Sequence, residues 1–533
     1  MAETIPEMLE AQALAQPEKV FLIWQDEEIT YREFDRRANR VARGLAALGL
    51  GRGDRVALVM PNCPEFLYTL FALTKLGAIF VPVNTALTPP EAQYIIHHSD
   101  AVALVGAEKH RELIEKVRPD CPALRHVVML GQASGADTLP YDVLLQGDPT
   151  PFGTAVAADD IAAIMYTSGT TAHPKGVLLH HGAYAFAPRA RAEHLGLTAV
   201  DRILIVNPLF HINGQAQAAM TLLSVGGSIV LKEGFSASRF WEDVRRHDVT
   251  TVSIMRTIPL MLLSRPATPQ DRGHRARVMT GGLPPHLQEQ FEDRFGVTLV
   301  SVYSLTEDMT SVMNPLDRGR RKLGALGLPV GAPAHQIGVM DEHDRPAGPG
   351  VAGEIVKRSP ASMKGYYKNP EATADALRGG WVHTGDFGYL DEDGFLYFLD
   401  RKKDIIRRSG ENISSSEVEA VLNAHPKVAE SAVIPVPDPL REQEVKACVV
   451  LNPGETPEGV PPEEIFAHCA ARLAPFKVPR YLEYRTDFPR TASYKIQKQK
   501  LREEPDLTGS CVDRLAGAGR PLGPGPGQAS PGS

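Results

Sequence analysis

Met165–Gly176 reads Met-Tyr-Thr-Ser-Gly-Thr-Thr-Ala-His-Pro-Lys-Gly, and the rest of the chain is best understood from this stretch. It follows the apolar run Ile161–Met165, which indicates a buried strand, and it is rich in hydroxyl side chains and turn-forming residues. Backbone N–H groups freed by glycine, hydroxyl donors and the charge of Lys175 can together surround phosphate oxygens. We therefore interpret this segment as a phosphate-binding loop. It lacks the Walker pattern Gly-x4-Gly-Lys-Ser/Thr, so it does not predict a P-loop NTPase.

The composition of the 533-residue chain limits the classes of protein to consider. A hydrophobic content of 43% and a charged content of 23% are typical of globular proteins, and the length predicts at least two domains. The net charge of −7 gives no basic surface for nucleic acid. No transmembrane segment or signal peptide is expected, and five scattered cysteines favour a reducing cytoplasm.

Residues 1–110 alternate between helix and strand patterns. Apolar residues recur every three or four positions from Phe34 to Leu48, which predicts a helix ending at Gly49. The next segments predict strand, helix and strand over Arg55–Met60, Glu65–Leu76 and Ala78–Val83. A β-α-β unit of this kind indicates a mostly parallel sheet.

A similar alternation follows the phosphate-binding loop. Strands are expected at Arg202–Val206, Ser228–Leu231 and Val249–Ile254, with a helix over Ala216–Val225. The predicted fold class is α/β, with a large N-terminal domain of doubly wound mixed sheets over residues 1–400. Residues 401–505 predict a small C-terminal α/β domain, and residues 506–533 predict a disordered, Gly/Pro-rich tail.

The loop resembles the phosphate-binding signature of the adenylate-forming, or AMP-binding, superfamily, which includes acyl-CoA synthetases, peptide-synthetase adenylation domains and luciferases. Ala172 stands where that family usually has Gly or Ser. The resemblance covers roughly residues 5–505 and implies ATP, Mg²⁺ and CoA as cofactors or co-substrates. It assigns the ATP phosphates to Thr167, Ser168, Gly169, Thr170, Thr171 and Lys175.

Ser301–Glu307 resembles the family's Tyr-Gly-x-Thr-Glu motif. By this resemblance Tyr303 stacks on adenine, Thr306 contacts the α-phosphate and Glu307 is an oxygen ligand for magnesium. Ser304 replaces the usual glycine and places a side chain at the edge of the acyl pocket.

Two further segments of the N-terminal domain are expected at the substrates. Gly281 and Gly282 follow the predicted strand Arg277–Thr280 and would allow close backbone approach to the adenosine and carboxylate. His211, at the end of Pro-Leu-Phe-His, would line the carboxylate and acyl pocket and gate access of the thiol.

Later motifs complete the implied site. Asp386 ends a Thr-Gly-Asp motif whose carboxylate would bind both ribose hydroxyls, and Arg401 would contact ribose or phosphate. Lys403 would be the hinge about which a mobile C-terminal domain turns. Gly410 and Glu411 would face the pantetheine tunnel.

Pro489–Ile496 resembles the family's Pro-Arg-Thr-x-x-Gly-Lys-Ile, whose lysine carries the first reaction. Lys495 is therefore the predicted catalytic lysine, with Lys498 as the alternative, and Tyr494 stands where glycine is usual.

The acyl group is less well defined by the sequence. Asn207–Gln215 and Phe235–Asp243 look most like the carnitine and crotonobetaine CoA-ligase branch of the family, which implies short, polar acids. Arg256 would lie near the wall of the acyl pocket, where it would pair either with a second carboxylate of the substrate or with an acidic residue of the protein.

The leading prediction is an AMP-forming acid–thiol ligase that acts on a short to medium or polar carboxylic acid. The second is an adenylating enzyme that transfers its acyl group to an amine or to a carrier protein. The third is a non-catalytic nucleotide-binding or interaction protein of the same fold. A homodimer is also expected, because many relatives form one.

Overall fold

A computed structural model describes residues 3–132, 138–151, 155–167, 174–254, 257–401, 404–409, 411–490 and 496–516, except the side chains of Thr257 and Asn412. These residues form two compact units: the first lies within Met1–Thr384 and Gly388–Phe398, and the second lies within Gly385–Phe387 and Leu399–Ser533. Both units mix helices with sheets, so the predicted α/β fold class is confirmed.

The α-helices, in chain order, are α1 Ile5–Ala15, α2 Tyr31–Ala47, α3 Pro64–Leu76, α4 Pro89–His98, α5 Arg111–Val117, α6 His181–His194, α7 Thr221–Ser224, α8 Phe240–Arg246, α9 Thr257–Leu263, α10 Pro285–Phe295, α11 Pro370–Ala376, α12 Ser415–Asn423, α13 Pro462–Ala470 and α14 Lys498–Arg502.

The strands, in chain order, are β1 Val20–Trp24, β2 Glu27–Thr30, β3 Arg55–Val59, β4 Ile79–Pro82, β5 Ala103–Ala107, β6 His126–Leu130, β7 Thr138–Pro140, β8 Ile161–Thr167, β9 Lys175–His180, β10 Arg202–Ile205, β11 Ser228–Leu231, β12 Thr251–Ser253, β13 Val278–Thr280, β14 Thr298–Val300, β15 Val302–Tyr303, β16 Val312–Met313, β17 Leu328–Pro329, β18 Gln336–Met340, β19 Gly353–Arg358, β20 Gly365–Tyr366, β21 Val382–Leu390, β22 Leu396–Arg401, β23 Ile405–Arg408, β24 Glu411–Ser414, β25 Val428–Asp438, β26 Glu442–Leu451, β27 Tyr481–Arg485 and β28 Val512–Asp513.

The first unit contains an eight-stranded sheet among its described residues, in the order β20-β9-β8-β4-β3-β5-β6-β7. Strands β3 and β4 are parallel and are joined by α3, which ends at Gly77 with φ of 69°. A positive φ at this position suits glycine because a Cβ atom would be strained there. The β-α-β unit predicted from the sequence is therefore present.

A second sheet of the first unit has the order β14-β13-β12-β10-β11-β1-β2 within the described part of the chain. Its strands from β14 through β1 run parallel, and only β2 is antiparallel to its neighbour. The carboxyl ends of β12 and β13 lie side by side at Ser253 and Thr280. This edge of a parallel sheet is where ligands of α/β proteins commonly bind.

The second unit has its own core around β25, β26 and α12, where Val433, Ala447 and Val418 are fully buried. Strand β26 pairs antiparallel with β25 and parallel with β27. Among the described residues of the whole chain, no helix has the length and apolar character needed to cross a bilayer.

Two sequence predictions need correction. The tail is ordered up to residue 516, because β28 pairs with β27 and Asp513 forms an ion pair of 2.9 Å with Arg480. Residues 517–533 lie outside the described part of the chain. The helix expected over Ala216–Val225 begins earlier, as a π-helix over Asn213–Met220, and only then becomes α7.

We predict that Phe34→Ala destabilises the first unit by about 3–5 kcal/mol, because it leaves a cavity that the packed core cannot fill. The Phe34 ring is fully buried and makes edge contacts with Phe21 and Phe71. Thermal unfolding checks this, with Leu14→Ala as the control because Leu14 is 86% exposed. Equal melting temperatures for the two variants would contradict the prediction.

Candidate active site

The predicted phosphate-binding loop connects two antiparallel strands, β8 and β9. Thr167 at the end of β8 is the register partner of Lys175 at the start of β9. The two residues that bracket the loop are thus adjacent across a strand pair. Ser168, Gly169, Thr170 and Thr171 lie outside the described residues, so their roles stay predictions.

Tyr366 links the lysine of this loop to Glu307. The Lys175 Nζ lies 4.8 Å from the centre of the Tyr366 ring, and the Tyr366 hydroxyl donates a 3.1 Å hydrogen bond to Glu307 Oε1. Strand β20 carries Tyr366 and pairs with β9, with Tyr366 opposite Val177. The structure therefore brings together a predicted phosphate ligand and the predicted magnesium ligand, although they are far apart in the sequence.

The backbone around Glu307 is held by a buried ion pair. The Lys357 Nζ lies 3.0 Å from Asp308 Oδ1, and both side chains are fully buried. Burial alone would raise the pKa of Asp308, but the Lys357 charge and hydrogen bonds from Thr310 and Ser362 bring that pKa down to about 2. Asp308 is therefore ionised at neutral pH. Because it adjoins Glu307, this anchoring restricts where the Glu307 carboxylate can lie.

The adenine and acyl motifs lie on β15 and the turn after it. Tyr303 ends β15, and both Ser304 and Thr306 are half-buried. The Ser304 Oγ accepts a 3.2 Å hydrogen bond from Gln217 Nε2, which comes from the π-helix. A serine in place of the usual glycine is thus tied into a polar network of the protein.

Gly281 and Gly282 directly follow the carboxyl end of β13. The Gly281 N–H donates to Val300 O at 2.9 Å, and a Cβ atom on Gly281 would lie 3.2 Å from Ile254 Cγ1. Such a contact is tight, so a small residue suits this position. His211 lies on an exposed turn, where its Nδ1 accepts a 3.1 Å hydrogen bond from the N–H of Asn213, the first residue of the π-helix. π-Helical segments often occur at functional sites.

The second unit brings together two of the predicted ribose and phosphate ligands. Asp386 is 6% exposed, and its Oδ1 lies 3.4 Å from Arg401 Nε. Glu411 is exposed at the start of β24, opposite Arg408. Lys495, Lys403, Gly410 and Arg256 lie outside the described residues, and their roles stay predictions.

The structure places Lys498, the alternative catalytic lysine, in contacts within the second unit. Its Nζ lies 2.6 Å from Glu419 Oε1 and donates to Ser415 Oγ at 2.7 Å. These contacts hold the Lys498 amine within the second unit, and the choice between Lys495 and Lys498 stays a prediction.

Sequence reasoning missed several residues that the fold places beside the predicted ones. Tyr366 and Lys357 are distant in sequence from the motifs they contact, and Arg191 and Gln217 carry no motif of their own. The only sequence signal was polarity at positions that otherwise suggest a core. Long polar side chains that are fully buried usually have a specific partner.

The residues present fit a magnesium ion shared with a nucleotide. In the described part of the chain, no cluster of three or more His, Cys, Asp or Glu residues could hold a metal alone. Mg²⁺ usually takes one or two carboxylates and completes its coordination with phosphate oxygens and water. Glu307, oriented by Tyr366, is suited to that role.

Comparison with known protein families gives matches over both units. The family described as AMP-binding enzyme matches residues 9–367, and the AMP-binding enzyme C-terminal domain matches residues 417–495. The crotonobetaine/carnitine–CoA ligase of Salmonella choleraesuis (strain SC-B67) is 38% identical over 486 residues, which cover 89% of this chain and 93% of that protein.

Solved structures agree with these matches. The anthranilate CoA ligase AuaEII in complex with anthranoyl-AMP has a TM-score of 0.84 and 29% identity, covering 94% of this chain and 97% of its own. The o-succinylbenzoate CoA synthetase MenE of Bacillus subtilis, in complex with ATP and a magnesium ion, has a TM-score of 0.81 and 30% identity, covering 93% of this chain and 99% of its own. The motifs, the fold and these similarities lead to one conclusion: the chain belongs to the AMP-binding enzyme family.

Proposed function

We propose that this enzyme is an ATP-dependent carboxylate–CoA ligase, which activates a short to medium or polar carboxylic acid as an acyl-adenylate and transfers the acyl group to the thiol of CoA. The observation that carries the proposal is the Lys175–Tyr366–Glu307 arrangement. It provides a cation for phosphate over the ring of Tyr366 and an oxygen ligand for magnesium at the hydroxyl of the same side chain. The relatives named above as CoA ligases support the same reaction class.

In the first step, a carboxylate oxygen of the acid attacks the α-phosphorus of ATP. The bond from that phosphorus to the bridging oxygen breaks, and pyrophosphate leaves with the electron pair. Lys175 and the loop after Thr167 offset the charge of the triphosphate, and Lys495 stabilises the charge that develops at the α-phosphate. Glu307 would hold magnesium, which when bound would supply further positive charge at the phosphates.

In the second step, the CoA sulfur attacks the carbonyl carbon of the acyl-adenylate. The bond from that carbon to the AMP oxygen breaks, AMP leaves, and the thiol proton passes to solvent. We propose that the C-terminal domain, residues 401–505, turns about Lys403 between the two steps and that His211 gates the thiol. Asp386 would accept the ribose hydroxyls beside Arg401, and Gly410 and Glu411 would line the pantetheine path.

Two alternatives remain: the first shares the adenylation step, and the second carries out no reaction. An amide synthetase or carrier-protein ligase would make the same intermediate but pass it to an amine or a carrier thiol. A non-catalytic nucleotide-binding protein would explain the replacements at Ala172, Ser304 and Tyr494. The CoA ligase is favoured because the relatives that match most of the chain carry that name.

We also propose a cytoplasmic location and a homodimer. All five cysteines are free, and four of them are buried, which suits a reducing compartment. Light scattering of the purified protein tests the dimer.

The acceptor is tested by pyrophosphate release from ATP with a panel of acids, each with CoA, with a free amine, or with neither. We expect acid-dependent release that accelerates only with CoA and yields a thioester. Product formation with the amine alone would support the amide synthetase. No release with any acid would support the non-catalytic alternative.

Glu307→Gln is expected to lower acid-dependent ATP–pyrophosphate exchange roughly a hundredfold and to raise the Mg²⁺ concentration needed for half-maximal rate, because a neutral amide is a poor magnesium ligand.

Tyr366→Phe keeps the ring beside Lys175 but removes the hydrogen bond to Glu307, so a loss of exchange activity of about tenfold is expected. Tyr367→Phe is the matched control, because the Tyr367 hydroxyl contacts Asp100 instead. An unchanged magnesium dependence in Glu307→Gln would rule out the assigned role.

Lys495→Ala and Lys498→Ala separate the two candidate lysines. Lys495→Ala should reduce pyrophosphate exchange by about 10²-fold or more. Lys498→Ala should leave exchange nearly intact and lower the melting temperature, because Glu419 loses its ionic partner. The reverse pattern would make Lys498 the catalytic residue.

A further inference from the structure

Arg191 is a buried arginine whose partners among the described residues are neutral. It lies on α6 and is 2% exposed. Its NH1 donates to Gln217 Oε1 at 2.7 Å and to Ser311 Oγ at 3.2 Å, and its NH2 donates to Thr280 Oγ1 at 2.6 Å. Within the described part of the chain, its Nε has no hydrogen-bond partner, and burial without any charged partner accounts for the shift of its pKa.

An arrangement of this kind is costly for folding. A buried charge loses its hydration, and a neighbouring carboxylate normally compensates it. Burial lowers the pKa of Arg191 to about 9, which still leaves the guanidinium charged at neutral pH. The nearby Lys357 shows the usual solution, because Asp308 lies 3.0 Å from its Nζ. Arg191 therefore supplies a positive charge that the described part of the protein leaves unbalanced.

Arg191 contacts the carboxyl edge of the parallel sheet, the edge at which the substrates are expected. Its partners Thr280 and Ser253 are the last residues of the parallel strands β13 and β12. Gly281, expected to approach the adenosine and carboxylate, comes directly after Thr280. The carboxyl edge of a parallel sheet is the common place for ligands in α/β proteins.

Gln217 connects Arg191 to Ser304 through a chain of hydrogen bonds. The Gln217 Oε1 accepts from Arg191 and from Ser311, so its amide nitrogen must face Met309 O at 2.8 Å and Ser304 Oγ at 3.2 Å. The Ser304 oxygen is thus an acceptor toward the protein. Among the described residues, the acceptor for its own hydrogen is Met309 O at a long 3.4 Å, so the hydroxyl can turn to an acceptor on a ligand.

We propose that Arg191, acting through Gln217 and Ser304, makes the acyl pocket select acids whose far end carries a second negatively charged group, such as a carboxylate. This inference rests on the proposed ligase function. The charge attracts an anionic group, and the Ser304 hydroxyl donates to it. The same charge disfavours acids that carry a fixed cation, including carnitine and crotonobetaine, the acids in the name of the Salmonella relative.

Arg191 is a specificity residue in this proposal, and Arg191→Met tests it without leaving the neighbouring hydroxyls unpaired. Thr280 donates to Ser253, Ser253 donates to Asn213 Oδ1, and Ser311 donates to Gln217 Oε1. The variant should therefore fold and melt no lower than the wild type, because an uncompensated buried charge is removed. Arg191→Lys keeps the charge, and Arg189→Met changes a half-buried arginine of the same helix as a control.

The experiment measures kcat/KM for thioester formation with three acids of similar length: glutarate, hexanoate and γ-butyrobetaine, whose far ends are anionic, neutral and cationic. In the wild type, kcat/KM for glutarate should exceed kcat/KM for γ-butyrobetaine by roughly tenfold or more. Arg191→Met should lower the ratio of glutarate to hexanoate by about tenfold, while Arg191→Lys and Arg189→Met keep most of it. Ser304→Gly should lower the same ratio in part.

A ratio of glutarate to hexanoate that Arg191→Met leaves within about twofold would overturn the proposal and leave Arg191 a structural residue. A wild type whose kcat/KM for γ-butyrobetaine equals that for glutarate would also overturn the proposal, and this result does not depend on whether any variant folds. If hexanoate gives thioester but the charge preference is absent, only this inference fails. If no acid in this set or the wider panel releases pyrophosphate, the proposed function fails first.

Discussion

The pairing of β20 with β9 is the interaction on which the proposed nucleotide site depends. It places Tyr366 opposite Val177 on β9, the strand that begins with Lys175. The backbone adds a further bond there, because the Tyr367 N–H donates to Gly176 O at 2.7 Å. Gly176 must be small, since a Cβ atom would lie 2.8 Å from Ile164 Cγ2. The last glycine of the motif is therefore explained by packing.

Charge compensation distinguishes the two buried cations beside this site. Lys357 is balanced by Asp308, and this pair anchors the backbone on which Glu307 lies. Arg191 is held by hydroxyls and an amide, which orient the guanidinium but do not neutralise it. An ion pair within the protein suits a structural role, whereas a charge balanced only by neutral dipoles suits a role toward a ligand.

Local sequence patterns predicted the regular elements well where periodicity and capping agreed. The helix expected from Phe34 to Leu48 is α2, and the helix expected over Glu65–Leu76 is α3. Local sequence patterns failed where long-range pairing or an unusual helix geometry determined the structure. Residues 506–516 are ordered because β28 pairs with β27 and Asp513 forms an ion pair with Arg480. Neither partner is near in the sequence. The π-helix at Asn213 has no periodic signal that distinguishes it from an α-helix.

The α/β class and the family could be predicted from the amino-acid sequence, and the site residues were proposed from it, because short motifs and the alternation of strands and helices are local properties of the chain. Which side chains meet depends on how the chain folds in space. Tyr366 lies between Lys175 and Glu307, Lys357 balances Asp308, and Arg191 reaches Ser304 through Gln217. Each of these contacts joins residues tens to hundreds of positions apart. Strand pairing and close packing set such distances, and no pattern along the chain encodes them directly.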